Sequence, residues 1–328
     1  MSAAEAEADP APAAIARPSR RERALALARR ALPILAPVAY VVALAVSIAG
    51  DGIPLARDQL FFWLLLGIAA FSVAAWRTWG TLLLEWLPLL ALLVAYDYLR
   101  GAVTIEPWEA HIAPQLAFDE WLGGGTVPTV WLQEQLWGGG ALQWYDYASW
   151  VVYMTHFFVI WIVAAVLWRV AHHRFRRYVT LVVLVTLAAL ATYWAYPAQP
   201  PWLAGENGEM PEVVRIVPIV WGDLGVHTAA SLWEGKGDLV NLVAAMPSLH
   251  ASYPFMLLLF FWPAGWRVRI GLAAYTAAMG FVLVYGGEHF VIDLLVGYLW
   301  TGIAFGVLVL AARWWRSLRG EEPARQAA

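Results

Sequence analysis

The stretch "HFVIDLLVGYLWTGIAFGVLVLAAR", residues 289–313, decides how this chain folds. An apolar run of ~20 residues is long enough to cross a bilayer as a helix. This one runs to 312 and ends in Arg313, with Arg316, Arg319 and Arg325 beyond it. Its other end carries His289 and Asp293. Ionisable groups near a membrane helix are costly to bury, so their presence points to function at that end.

The rest of the chain fits the same solvent. Of 328 residues, 61% are hydrophobic and 14% charged, too oily for one soluble domain and typical of a polytopic membrane protein. The net charge of −3 gives no reason to expect nucleic acid. The absence of cysteine excludes disulfides and thiolate metal sites. Eight apolar runs are expected as spans: 31–50, 59–76, 80–98, 148–168, 178–196, 249–264, 270–286 and 289–312. Residues 1–30, rich in Ala, Pro and Arg, read as a disordered cytoplasmic tail. Residues 31–313 read as one integral membrane catalytic domain and 314–328 as a second cytoplasmic tail. Two outer segments, 99–147 and 197–248, interrupt the domain.

Lys and Arg orient the bundle. With eight spans, seventeen of the 21 fall on one side, leaving only Arg57, Arg100, Arg215 and Lys236 on the other. The positive-inside rule places both termini in the cytoplasm and both long segments outside. His250, at the head of span six in "AAMPSLHASYPF" (244–255), then shares the outer face with His289.

Those residues form a reactive set. His289 and Asp293, four apart at a helix start, are expected on one helix face within reach of each other. A carboxylate on one ring nitrogen leaves the other as nucleophile or base. His250 is a candidate proton donor to a leaving oxygen. Ser248, behind Pro247, can donate to an anionic oxygen, and Gly286 and Gly287 allow close approach to a ligand. Two other readings stay open at this level. His250, His289 and Asp293 could ligate a metal, or the histidines could be ordinary interfacial residues.

At these residues the sequence resembles the type-2 phosphatidic acid phosphatase superfamily of membrane enzymes. Pro247-Ser248-Leu249-His250 is similar to its second motif, with Leu where Gly is usual. His289 and Asp293 match its third, whose Ser-Arg pair falls on Val282 and Leu283, and the first motif has no match. The branch that includes inositol phosphorylceramide synthase and its bacterial relatives shares both gaps. "GEHFVID", "YDYLRG" (96–101) and "YPAQPPW" (196–202) also resemble that branch. The resemblance implies a six-helix phosphatase-like core and a His289 that attacks phosphorus to give a phosphohistidine. Asp293 would orient it, and His250 would protonate the leaving alcohol and then activate the acceptor. Ser248 would hold phosphoryl oxygens, and no metal or other cofactor is expected.

The missing Lys and Arg leave open what neutralises the phosphate. Arg100, one turn after Asp97, is a candidate phosphate ligand or a snorkelling arginine paired with Asp97. Lys236 in "WEGKGD" either folds over a headgroup or is a solvated loop lysine. Arg215 and Arg57 read as surface charges. Pro128 and Gly138 bracket a short helix, one of one or two lying in the outer interface as a lipid lid or an anchor. His156, inside span four, makes either a polar contact to the site or a helix–helix hydrogen bond. Glu85 is a neutral structural group or part of a pathway, and His111 and His227 read as inert.

The expectation is an all-α, eight-span cell-membrane enzyme, with outer interfacial helices and its site on the extracytoplasmic side. It would move a phospho-headgroup such as phosphoinositol from a phospholipid to a lipid alcohol. The alternative is a phosphatase using water on phosphatidate or a polyprenyl (pyro)phosphate. A transporter or scramblase is the rival of another class, disfavoured because the ionisable groups cluster at one face and no inverted repeat is visible.

Overall fold

The computed structural model describes residues 19–51, 109–225 and 242–320, and between them 62–63, 66–67, 69–73, 80, 84–92 and 95. Among these residues the protein is all-α, with isolated β-bridges and no strands. Five helices are long and apolar enough to cross a membrane, as a polytopic bundle requires. The chain divides into two compact units, Met1–Thr81 and Leu82–Ala328.

In the first unit, α1 (Arg20–Asp51) begins eleven residues before the expected span, inside the segment read as a tail. A local cap starts it there. The Ser19 amide donates to Glu22 Oε2 at 2.7 Å, and the Glu22 amide donates to Ser19 Oγ at 3.2 Å. This reciprocal pairing satisfies two amides that a helix start otherwise leaves open. Its apolar window has no buried residue within the structure, as suits a helix solvated by lipid.

The second unit carries α2 (Ala113–Leu122), α3 (Pro128–Leu136), α4 (Trp144–Val170), α5 (His172–Ala195), α6 (Pro201–Glu206), α7 (Ile216–Asp223), α8 (Leu249–Phe260), α9 (Trp266–Tyr285) and α10 (Val291–Leu318). α8 sits at the centre, packed against α4, α5, α9 and α10. It has only 12 residues, about 18 Å of helix, less than the ~30 Å hydrocarbon core. Span six was expected to reach 264, but a 3₁₀ turn at Trp262–Ala264 and a positive φ of 105° at Gly265 end it early. Being encased by four helices, α8 buries Leu249, Tyr253, Met256 and Leu257 without facing lipid.

The expected spans 59–76 and 80–98 are described only in part. Within 84–92, Glu85 is not the neutral group considered above. Arg176 Nη2 and His172 Nε2 each lie 2.9 Å from it, and the Trp168 indole donates at 3.0 Å. This is an ion-paired structural cluster made with the start of α5.

α2 and α3 fall in the segment where one or two interfacial helices were expected, and Pro128 starts α3 as predicted. They are pinned down, not lid-like. α2 packs on α10 and α3 on α9. Val127, Val130, Trp202, Leu203, Met210 and Phe290 form one apolar cluster beneath them. Buried Gln133 on α3 donates to Tyr285 O at 2.8 Å and to Val214 O at 2.7 Å, and accepts from the Val214 amide at 2.7 Å. One side chain thereby closes three backbone hydrogen bonds that would be expensive to bury unmade.

Candidate active site

The two histidine-bearing stretches meet. The Ser248 amide, immediately before α8, donates to Asp293 O on α10 at 3.0 Å. A Cβ on Gly297 would come within 2.7 Å of Ser248 O and 2.8 Å of Ser252 Oγ, so the helix starts touch because glycine stands there. Ser248 itself is fully buried and caps α8, its Oγ accepting from the Ala251 amide at 3.2 Å.

His289 is not on the helix face where it was expected. A turn through Gly286 and Gly287, the latter at φ 76°, delays the start of α10 to Val291. His289 therefore lies before the helix and leans over its first turn. Its Nδ1 is 3.4 Å from Asp293 Oδ2, an ion-pair distance longer than a good hydrogen bond. The other oxygen-bearing link of Asp293 is local, with the Phe290 amide donating to Oδ2 at 3.0 Å. Gly287 closely approaches its own chain. A Cβ there would meet Val214 O at 3.1 Å, and its carbonyl accepts from the Trp202 amide.

A third histidine joins the pair. The His250 ring lies 5.6 Å from that of His289 and 3.9 Å from that of His156, which comes from α4. Tyr153 stacks on His250 at 4.8 Å, and Tyr253 stacks on His156 at 5.2 Å. His156 thus reaches the pair by ring contact with His250. Four buried atoms here, His156 Nδ1, His250 Nε2, His289 Nδ1 and Asp293 Oδ1, have no hydrogen-bond partner among the described residues. A native interior rarely tolerates several such groups in one place without a ligand or chemical role.

Arg215 overturns its reading as a surface charge. It is 12% exposed and bonds Glu288 through both Nε (2.8 Å) and Nη2 (3.0 Å). Its guanidinium lies 4.5 Å from the Trp202 ring centroid. Burial alone would pull its pKa down, but the charge and hydrogen bonds of Glu288 more than offset this and hold it above the usual value. Glu288 immediately precedes His289, and the Arg215 charge reaches His250. The signal available in the sequence was a lone arginine inside the apolar run "VVRIV" (213–217).

Of the predicted site residues, the structure assembles His289, Asp293, His250 and Ser248 and places Gly287 in the turn behind them. Asp97, Arg100 and Lys236 lie outside the described residues, as does His227. His111 is structural, stacked on Tyr196 at 4.1 Å with its backbone paired to residues 197 and 199. The sequence reading missed Arg215, the pairing role of Glu288, and two buried residues of α2 and α3, Asp119 and Gln133.

A family model described as the PAP2 superfamily matches residues 116–307, more than half of the chain, from α2 to α10. No curated protein and no solved structure matches it.

Proposed function

Because the chain belongs to the PAP2 superfamily, and so to a family acting on lipid phosphate esters in a membrane, we propose that it moves a phospho-headgroup from a phospholipid to a lipid alcohol, with His289 as nucleophile. The carrying observation is the cluster of partnerless buried atoms on three histidines and Asp293, beside the buried cation Arg215. With Nδ1 turned to Asp293, His289 presents the Nε2 lone pair to phosphorus.

In the first step a bond forms from His289 Nε2 to phosphorus and the bond to the donor's glycerol oxygen breaks. His250 gives its Nε2 proton to that oxygen, releasing diacylglycerol. Asp293 stabilises the charge that develops on the imidazole. In the second step the acceptor hydroxyl gives its proton to His250 and attacks phosphorus, and the bond to His289 breaks. Arg215 supplies the positive charge that the equatorial oxygens need, the task left open by the absent Lys and Arg of the family motifs. The distribution of Lys and Arg supports an extracytoplasmic site.

Labelled phosphatidylinositol, offered to the purified protein in micelles with and without ceramide, tests for an acceptor. A new labelled lipid that requires the acceptor is the expected product. Labelled inositol phosphate or free phosphate formed without any acceptor would replace the transferase reading with a hydrolase.

A further inference from the structure

Asp119 takes no part in the scheme above, yet its side chain is fully buried. It projects from the outer helix α2 to the start of α10, 172 residues later. Oδ2 accepts from the Val291 amide at 2.8 Å and Oδ1 from the Ile292 amide at 3.2 Å. These are the first two amides of α10, which the helix itself leaves without acceptors. Asp293 takes the Phe290 amide just before them. Two buried carboxylates from different helices therefore hold one helix terminus, and the second of them adjoins His289.

We propose that Asp119 is a positioning residue. As a carboxylate it fixes the first turn of α10, and with it the register of Asp293 against His289, which makes α2 a brace for the catalytic helix. The inference rests on His289 being the reactive histidine. Charge-assisted bonds to a helix terminus suit this task, because the terminus is itself partly positive.

The arrangement carries a pH dependence. Burial pushes Asp119 up to about 6, opposed by the bonds from Val291 and Ile292 and reinforced by the charge of Asp293. The other titratable groups nearby are His289 beyond Asp293, Tyr196, whose hydroxyl donates to Gln115 one turn before Asp119, and His111 stacked on Tyr196. Protonation turns one carboxylate oxygen into a donor facing an amide that also donates, so one of the two bonds is lost. Activity then falls as pH drops through about 6. Stability moves the other way. A carboxyl raised in the folded state stabilises the fold in its neutral form, and that contribution is lost as pH rises from the ordinary carboxylate range through about 6.

Asp119→Asn, in the full-length protein, tests this with a lipid-transfer pH profile and the ¹⁵N amide shift of Ile292, identified by its loss in Ile292→Val. Wild type should show an acid limb in kcat and an Ile292 inflection at the same pH, near 6. The Asn variant should lose both, with kcat down about tenfold and KM within about twofold. An unchanged acid limb, or kcat within about twofold of wild type, overturns the proposal. If the variant does not fold, the absence of the Ile292 inflection in wild type overturns it without any variant. No turnover in wild type together with that inflection would sink the phosphotransfer reading and leave the Asp119 contact standing.

Discussion

α8 and α10 each begin close to a histidine of the proposed site, and they are held at that point in different ways. α8 is capped by its own chain, Ser248 accepting from Ala251 and Ser252 donating back to Ser248 O. The approach to α10 is held from afar. Asp119 reaches its first amides, Arg215 clamps Glu288, and Trp202 and Val214 close on Gly287. A local cap decides where a helix starts. Remote clamps decide where that start points relative to the rest of the site. The proposed nucleophile, His289, would need the second kind of control, because attack on phosphorus depends on distance and angle together.

The comparison can be broken at either end. The largest effect is expected at a remote clamp. Arg215→Ala removes a buried cation and leaves Glu288 buried without this charge partner. Turnover in the labelled-lipid assay should fall roughly 10²–10³-fold, the range typical of losing one preorganised electrostatic contact. Arg215→Lys restores the charge without the planar fork and should fall between the two. An Ala variant that keeps more than about a tenth of wild-type turnover would remove Arg215 from the mechanism. The smallest effect is expected at the local cap. Ser248→Ala should cost about 1 kcal/mol in denaturant unfolding and change turnover only a few-fold. A loss of turnover as deep as that of Arg215→Ala would give Ser248 a direct hold on phosphate and erase the distinction.

The same division separates what the sequence revealed from what it hid. Helices α4, α5, α9 and α10 follow from unbroken apolar runs, and Pro128 announces α3. The Ser19-x-x-Glu22 cap was equally readable and explains why α1 starts at Arg20 and not at 31. His250 and His289 were recognisable as a pair because an eight-span reading puts them on one face. The remote clamps had no such signal. Asp119 sits in "AFDEWL" (117–122) beside Glu120, and no spacing rule separates the buried acid from the exposed one. Gln133 in "VWLQEQL" meets its partners 81 and 152 residues away. The position of His289 was misjudged for a related reason. Gly286 and Gly287 were read only as room for a ligand, and the turn they make, which delays the helix, was not foreseen.

The central claim is that these two stretches build a nucleophile at His289, and trapping the intermediate tests it most directly. Wild type is mixed briefly with phosphate-labelled donor lipid, denatured in alkali and digested. The account predicts an acid-labile, alkali-stable label on the peptide carrying His289, absent from His289→Ala, which should also have no turnover. Full turnover with no label on that peptide, or turnover retained by His289→Ala, would contradict it.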